Sequence, residues 1–342
     1  MEMPLIVTRD PLLTDELLRL AAAAGVAPEV AADPGAALRS WRSASLVLVG
    51  VDVAEELARF TPTRRAGVHV VGGAGVPDQA FRHAVELGAS QVVELPASGA
   101  WLLDLLSDAV DGRADASTTL AVIGGSGGAG ATTFACAVGL VAGARGPACL
   151  LDVDPVGPGA DRVLGFDRLD GARWSALEQT TGRLGSQSLR DALPRRAGLG
   201  VLTWAAGERS APQAFAVREA LAAAARGHHV VVADLPRAGV LTAEVAARVD
   251  AVLVVARPSL PGLAAAARVV AALEAGGRVG IVVRGRAEPR AVAQVVGAPV
   301  VATMGDQRGL EEAVDLGRGP VWTHRSVLAR AARQALDWCA AG

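Results

Sequence analysis

The sequence predicts an α/β protein of two successive domains, each with a parallel β-sheet covered by helices on both faces. Short apolar runs alternate with helical patterns along the chain, a polar stretch at residues 111–117 interrupts the alternation, and a glycine-rich loop at 124–133 follows it. With 342 residues and 51% hydrophobic content, the chain is long enough to bury two cores. We place the domains at residues 1–113 and 120–342, joined by a linker at 114–119.

In the first domain, four apolar runs predict strands and four periodic stretches predict helices. The predicted strands are Leu5–Thr8, Leu46–Val51, Val68–Val71 and Gln91–Leu95. The predicted helices are Leu12–Ala24, Ala54–Phe60, Gln79–Leu87 and Trp101–Val110. In length and element order this domain resembles a response-regulator receiver, which has a flavodoxin-like parallel sheet.

The residues that receiver chemistry needs are replaced in this chain. The resemblance implies an acidic pair after the first strand, an acceptor aspartate at the end of the third strand and a lysine at the end of the fifth. The corresponding places hold Thr8-Arg9-Asp10, Gly50 and Leu95-Pro96. Asp52 serves as acceptor only if the register shifts by two residues, which places it beyond the strand end. We therefore predict a pseudo-receiver that is used for docking.

The second domain continues the alternation of strands and helices from residue 119 to the end. Its predicted strands are Leu120–Gly124, Ala148–Val153, Gly200–Thr203, His229–Asp234, Ala251–Ala256, Val279–Val283 and Val300–Thr303. An amphipathic helix is predicted from the glycine-rich loop to about Ala144. This order predicts a doubly wound sheet with a nucleotide-binding loop after its first strand.

The glycine-rich loop has the context of a P-loop, because it follows a buried strand and opens a helix. Glycines let backbone N–H groups curl around phosphate oxygens, and the helix N-terminus adds partial positive charge. The Thr132 hydroxyl lies where a Mg²⁺ ligand belongs. The predicted nucleotide-binding residues are Gly127, Gly128, Ala129, Gly130, Ala131, Thr132 and Thr133.

The loop resembles the deviant Walker A motif of the MinD/ParA family, Lys-Gly-Gly-x-Gly-Lys-Thr-Thr. The family's two lysine positions correspond to Ser126 and Ala131 in this chain, so neither position is basic. All 33 basic residues of the chain are arginine, yet coding bias would have kept a cation at these positions. Loss of one electrostatic donor costs about 10²–10³ in rate. We therefore expect slow or absent ATP hydrolysis.

Four aspartates, at strand ends or in the segment that follows, complete the resemblance. Asp152 and Asp154 match the family's DxD-type switch segment, which continues to Asp161, and Asp234 ends an apolar strand in the Walker B arrangement. The resemblance makes Thr132, Asp152 and Asp234 the Mg²⁺ ligands and makes Asp154 and Asp161 the catalytic candidates. Two alternatives stay open: the site binds ATP or ADP with Mg²⁺, or the loop and the acids are kept only for packing.

A receiver-like domain joined to a degenerate P-loop domain resembles the CpaE/TadZ group, which localises Tad pilus secretion machinery. Three segments resemble the actinobacterial septum-site-determining branch, Ssd: residues 169–202, Asp234–Arg237 and residues 305–317. The resemblance implies a cytoplasmic homodimer that is recruited to a septum or cell pole. Its implied partners are division-site or Tad pilus proteins, bound through the N-terminal domain.

Other functions stay open beside this scaffold. In a true ATPase of the MinD/ParA class, an arginine such as Arg162 or Arg237 would replace the missing lysine. A DNA-associated partition protein is disfavoured by the weak basic excess after residue 115, where 24 arginines face 19 acids, and Glu288 interrupts the candidate patch of arginines at 278, 284, 286 and 290. The final helical stretch, residues 325–338, fits either a peripheral membrane contact or packing on the sheet, and we favour packing.

Overall fold

The computed structural model describes residues 3–110, 117–177, 184–205, 207, 212–273 and 276–341. The chain forms two compact units, one of Met1–Arg113 with Gly185–Ser188 and the other of Ala114–Leu184 with Leu189–Gly342. Part of the expected linker, residues 114–116, lies outside the described residues, as does residue 113. The boundaries at 113 and 120 therefore stay predictions.

The first unit has five strands and five helices within its described residues. The strands are β1 (Leu5–Val7), β2 (Glu29–Ala31), β3 (Val47–Gly50), β4 (Val68–Gly72) and β5 (Gln91–Glu94). The helices are α1 (Pro11–Ala23), α2 (Pro34–Ser40), α3 (Ala54–Arg59), α4 (Asp78–Leu87) and α5 (Gly99–Val110). The strands form a parallel sheet in the order β2-β1-β3-β4-β5, with one apolar core on each face.

The prediction of a receiver-like parallel sheet is confirmed, but sequence analysis missed β2 and α2. Strand β2 has three residues at the sheet edge, and its Glu29 and Val30 are exposed, so no apolar run marks it. Helix α2 has seven residues and begins with Pro34 after the N-cap Asp33. Both elements are too short to show a hydrophobic period.

The carboxyl edge of this sheet shows how the replaced receiver residues are used. Asp10 caps α1, because its carboxylate accepts the backbone N–H of Leu12 at 2.9 Å. Asp52 lies beyond the end of β3, as expected, and because β3 ends at Gly50 and not at Val51 it is two residues past the strand. Its carboxylate turns back, so a Cβ at Gly50 would overlap Asp52 Oδ1 and lie 2.6 Å from Thr8 Oγ1. Position 50 therefore has no room for a side chain.

From residue 117 onward, the described residues form eight strands and ten helices. The strands are β6 (Thr118–Gly124), β7 (Ala148–Asp152), β8 (Arg195–Arg196), β9 (Leu199–Leu202), β10 (Val230–Leu235), β11 (Ala251–Ala256), β12 (Arg278–Arg284) and β13 (Val300–Met304). The first helices are α6 (Ala131–Gly143), α7 (Ala160–Leu164), α8 (Trp174–Leu177), α9 (Ser186–Ala192) and α10 (Ala214–Gly227). The last are α11 (Val240–Ala246), α12 (Leu260–Ala272), α13 (Pro289–Val296), α14 (Leu310–Asp315) and α15 (Val327–Ala340).

These strands form one sheet in the order β13-β12-β11-β6-β10-β7-β9-β8, parallel except for the antiparallel pair of β8 and β9. The central strands are buried on both faces, which explains their continuous Val, Leu and Ala runs. The prediction of an amphipathic helix after the loop was wrong, because α6 is buried almost all round. It is covered by the sheet on one side and by α15 on the other, and a helix apolar on all sides belongs inside.

The terminal helix α15 packs on the sheet, as favoured from the sequence. Leu328 and Leu336 are buried at 4% and 6% exposure. Arg278 stacks on the Trp338 ring at 4.4 Å and donates to the backbone oxygens of Trp338 and Cys339 at 2.8 and 2.9 Å. Within the described part of the chain, no helix is long and apolar enough to cross a membrane.

Candidate functional site

The glycine-rich loop connects the end of β6 to the start of α6. Gly128 and Gly130 have φ values of +68° and +94°, which glycine adopts at little cost. The Gly125 N–H donates to Val255 O at 2.9 Å, so the loop starts as an extension of the sheet. A Cβ at Gly125 would lie 2.8 Å from the Cβ of Ala266. Glycine is therefore required here for both backbone conformation and close approach.

The loop forms one wall of a cavity of about 940 Å³. All residues from 124 to 133 line it, including the predicted nucleotide-binding residues 127–133. The other walls come from the segments after β7 and β10 and from α12. They contribute Asp154, Val156, Pro158, residues 234–238, Ala265, Arg268, Val269 and Ala272. Small-molecule sites usually measure about 300–1,000 Å³, so this cavity has room for a nucleotide-sized ligand.

Two buried aspartates, Asp152 and Asp234, lie side by side on neighbouring strands, and of the two only Asp234 is among the residues that line the cavity. They are register partners on neighbouring strands β7 and β10, and each is 1% exposed. Asp152 Oδ2 accepts from Thr203 Oγ1 at 2.7 Å and from the Ala160 N–H at 2.8 Å. In contrast, Asp152 Oδ1 and Asp234 Oδ2 are buried without a hydrogen-bond partner among the described residues. Such orphaned oxygens are costly unless a cation or proton satisfies them.

Burial and mutual repulsion set the protonation of this pair. Burial raises the pKa of Asp234 well above its ordinary value, and the neighbouring Asp152 charge raises it further, while a hydrogen bond with Thr132 lowers it. Burial also raises the pKa of Asp152, against the hydrogen bond from Thr203. A cation bound beside the pair would favour the charged carboxylates in place of a proton.

The residues present fit a magnesium ion that is completed by a ligand. Within the described residues, no three His, Cys, Asp or Glu side chains are grouped to hold a metal, and this applies to His228 and His229 as well. Mg²⁺, however, is usually held by one or two carboxylates together with phosphate oxygens and water. Thr132, Asp152 and Asp234 supply a hydroxyl and two orphaned carboxylate oxygens for such a site.

The two candidate catalytic acids have different positions. Asp154 lines the cavity, and its Oδ1 accepts the Val156 N–H at 3.1 Å. Asp161 is not among the residues that line it, and Asp161 Oδ2 lies 3.8 Å from Arg173 Nη2. Both side chains of this second pair are less than one-fifth exposed. A catalytic role therefore stays a prediction for Asp154, whereas Asp161 is engaged in a partly buried ion pair.

Positive charge is missing from the loop but present on the opposite walls. Ser126 and Ala131, at the expected lysine positions, both line the cavity. Of the arginines considered as replacements, Arg237 lines the cavity and Arg162 does not. Sequence analysis missed Arg268. Its signal was the spacing of residues 265, 268, 269 and 272, which places a single charged residue among small apolar ones on one helix face.

A further arginine, Arg284, contacts the outer side of the loop. Its Nη2 lies 3.1 Å from Asp306 Oδ1, and its Nη1 donates to Gly128 O at 3.4 Å. The crevice between the loop and β13 on this side measures only about 30 Å³. Arg278 and Arg284 of the candidate DNA patch are thus engaged within the protein. This leaves the patch with few exposed cations.

Comparison with known proteins gives relatives over the whole chain. Residues 7–117 match the family described as Rv3660c-like, CheY-like N-terminal domain. The uncharacterized protein Rv3660c from Mycobacterium tuberculosis strain H37Rv is 36% identical over 341 residues, which covers 96% of this chain and 95% of the relative. The uncharacterized protein MT3760 from strain CDC 1551 matches with the same values.

Solved structures resemble about two thirds of the chain. The ParA family ATPase from Chlorobium tepidum has a TM-score of 0.54 at 16% identity, covering 66% of this chain and 98% of its own. The MinD protein from Pyrococcus horikoshii, solved with Mg-ADP, has a TM-score of 0.54 at 20% identity, covering 64% and 93%. MinD from Aquifex aeolicus has a TM-score of 0.54 at 14% identity, covering 66% and 98%. These similarities show a MinD/ParA-like P-loop fold.

Proposed function

The chain belongs to the same family as Rv3660c, and it has a CheY-like domain followed by a domain of MinD/ParA-like fold. We propose that this protein is a positioning factor that responds to nucleotide binding with little or no ATP hydrolysis. One observation carries this proposal. The glycine-rich loop lines a cavity of nucleotide size beside two aspartates with unpartnered oxygens, while Ser126 and Ala131, at the expected lysine positions, carry no charge.

Mg²⁺-nucleotide binding is supported by two buried carboxylate oxygens that destabilise the protein when they have no partner. Asp152 Oδ1 and Asp234 Oδ2 lack partners, and burying such groups costs about 1–3 kcal/mol each. A Mg²⁺ ion would supply the positive charge between these oxygens and the phosphates. The Thr132 hydroxyl would be a further ligand of that ion, and the N–H groups of the loop would hold the phosphate oxygens.

Slow hydrolysis follows from where the arginines lie. Phosphoryl transfer needs a cation at the transferred group, and each such donor contributes about 10²–10³ in rate. Arg237 and Arg268 line the walls opposite the loop, so the loop does not fix their guanidinium groups at the expected lysine positions. An arginine fork also seldom replaces the compact ammonium of lysine. The bound nucleotide would therefore act as a conformational signal.

The CheY-like domain would recruit partners. Its carboxyl edge holds Asp52 in hydrogen bonds within the protein and has no room for a side chain at Gly50. The more specific proposal is a CpaE/TadZ-like protein, nearest to the Ssd branch. In this role it is a cytoplasmic homodimer that brings division-site or Tad pilus proteins to a septum or pole.

Calorimetric titration with Mg·ATP, combined with an assay of phosphate release, tests this proposal. We expect binding without release above background, and we expect Thr132→Ala to weaken binding while the surface variant Thr323→Ala does not. Absence of binding would overturn the nucleotide response. Binding with turnover that Asp152→Ala abolishes would overturn the scaffold role.

A true ATPase is the second candidate, because two unpaired arginines share the cavity with the loop. Neither Arg237 nor Arg268 forms an ion pair with a described residue. If either supplies the missing cation, Arg237→Gln or Arg268→Gln will lower phosphate release by about 100-fold. An equal loss of binding and turnover would instead assign these arginines to uniform ligand binding.

A further inference from the structure

A second cavity, of about 440 Å³, lies at the opposite edge of the large sheet from the glycine-rich loop. It is formed where α6 and α10 end and where β7 and β9 begin. The residues that line it are Gly143, Ala144, Arg145, Gly146, Pro147, Arg190, Arg195, Gly198 and His228. We call it the arginine cavity. Among the described residues no acidic side chain lines it.

The described residues compensate the charges of its three arginines poorly. Arg195 Nη2 lies 3.8 Å from Asp191 Oδ1, and Arg145 Nη1 lies 3.4 Å from Asp337 Oδ1. Both acids are 64–69% exposed, and exposed pairs of this kind contribute about 0–1 kcal/mol. The Arg190 guanidinium has no ion pair with any residue that the structure describes.

Helix ends nearby offset only part of this charge. The carboxyl ends of α6 and α10 each carry a partial charge of about −0.5. Together they amount to roughly −1, against three guanidinium charges on the lining residues. The two helix ends therefore compensate only part of the guanidinium charge, and the residues that line the cavity keep a positive excess.

The local fold directs one of two neighbouring arginines into the cavity. Arg195 and Arg196 are adjacent on β8, and neighbouring strand residues point to opposite sides. Arg196 packs over the Phe166 ring at 5.0 Å and donates to Gly165 O at 3.3 Å. Arg195 is left to line the cavity.

A buried histidine completes the lining. His228 is 3% exposed, and its Nδ1 lies 3.0 Å from Ala224 O, so this nitrogen carries the proton. Burial lowers the pKa of His228 to about 4, against the hydrogen bond with Ala224 O, and the charges of Arg190 and Arg195 are part of this lowering. The ring is thus neutral at neutral pH and reports directly on a negative charge that enters the cavity.

We propose that the arginine cavity binds a phosphate group through Arg145, Arg190 and Arg195. Guanidinium groups bind phosphate oxygens through two parallel hydrogen bonds, which makes them better phosphate ligands than isolated point charges. The volume admits a small phosphorylated molecule or a phospholipid headgroup. Helix α6 has 13 residues, so about 20 Å separates this cavity from the glycine-rich loop. The inference is therefore independent of nucleotide binding at the loop.

Titration of the full chain with pyrophosphate, followed by the NMR signal of the His228 ring, tests this inference. We expect the signal to shift and saturate, and we expect Arg190→Gln combined with Arg195→Gln to weaken binding by at least about tenfold. Arg308→Gln, an exposed arginine elsewhere, should leave the His228 titration unchanged. A His228 signal that does not respond to pyrophosphate, or equal weakening by the Arg308→Gln control, would overturn the inference.

Two further arms separate the sources of the phosphate and guard against misfolding. Arg190→Lys with Arg195→Lys keeps the charge and should retain part of the affinity, whereas a loss as large as with glutamine would contradict phosphate binding by charge. Vesicles of phosphatidic acid in phosphatidylcholine test the lipid source. Vesicle binding that depends on Arg190 and Arg195 would identify a headgroup, and pyrophosphate binding without vesicle binding would identify a soluble phosphorylated molecule.

Discussion

The two domains place aspartates at the same point of a parallel sheet, the carboxyl ends of the strands, but treat them in opposite ways. In the CheY-like domain, Asp52 Oδ1 accepts from Thr8 Oγ1 and Asp52 Oδ2 accepts the Arg9 N–H, each at 2.7 Å. In the P-loop domain, Asp152 Oδ1 and Asp234 Oδ2 are buried with no partner among the described residues.

The two edges therefore differ in whether the protein itself satisfies its carboxylate oxygens. An exposed carboxylate whose oxygens both accept hydrogen bonds stabilises its own loop and requires nothing further. A buried pair with unpartnered oxygens lowers the stability of the ligand-free protein unless a proton or a cation satisfies those oxygens. The first edge is thus closed by the protein itself, and the second edge is open.

Restoring an acceptor aspartate to the first domain should have the largest effect. A side chain at Gly50 would overlap Asp52 and meet Thr8 at 2.6–2.7 Å, so Gly50→Asp should destabilise the domain by about 3 kcal/mol. Denaturant unfolding measures this. Gly73→Asp, where a Cβ meets nothing within 4 Å, serves as the control. An unchanged midpoint for Gly50→Asp would show that this edge is open too.

Neutralising one of the orphaned acids should have the next largest effect, with the opposite sign. Asp234→Asn removes a buried charge and should stabilise the ligand-free protein by about 1–2 kcal/mol, while reducing the stabilisation by Mg·ATP. Thermal unfolding measures both effects. Asp315→Asn, on the surface, should change neither, and a destabilised Asp234→Asn protein would contradict the open-edge interpretation.

The same pair predicts a pH dependence. The pKa of Asp234 is raised in the folded protein, so the folded state binds more protons than the unfolded state above the ordinary value of 3.8. The contribution of Asp234 to the free energy of unfolding is therefore favourable at low pH, and it is lost as the pH rises through the pKa of the folded state. We expect the stability difference between Asp234→Asn and the wild type to grow with pH across that window.

Adding a cation to the loop should have a moderate effect. Ala131 is half-buried and lines the cavity, so Ala131→Lys should fit and tighten Mg·ATP binding by about tenfold. Calorimetry measures the affinity, and Ala264→Lys adds the same charge on an exposed face of α12. Equal affinities for the wild type and Ala131→Lys would indicate that the loop does not approach phosphate.

The smallest effect is expected from Asp52. Asp52→Ala removes two hydrogen bonds at an exposed site, so it should lower the free energy of unfolding by about 1 kcal/mol. Urea unfolding measures the change, with Asp15→Ala as an exposed control on α1. If Asp52→Ala instead stabilised the protein, the Asp52 side chain would be shown to destabilise the folded state, as we expect for Asp234.

Much of the fold could be predicted because its signals are local. Central strands such as β10 and β11 are apolar throughout, and the glycine-rich loop marks the start of α6 by its composition. The amphipathic interpretation of α6 failed because Ala and Gly are compatible with either a surface or an interior. Strand β2 was missed because an exposed edge strand needs no apolar residues.

Residue types and their spacing were enough to predict most of the strands and helices, a glycine-rich loop without basic residues, and the acids at or near strand ends. These features depend on residue type and on spacing within one element. Only the tertiary structure decided which oxygens lack partners, that Asp161 pairs with Arg173, and that Arg268 and Arg237 face the loop. It also brought Arg145, Arg190 and Arg195 to one cavity. The physical reason is that hydrogen bonding, burial and charge compensation depend on groups far apart in the chain, and folding alone brings them together.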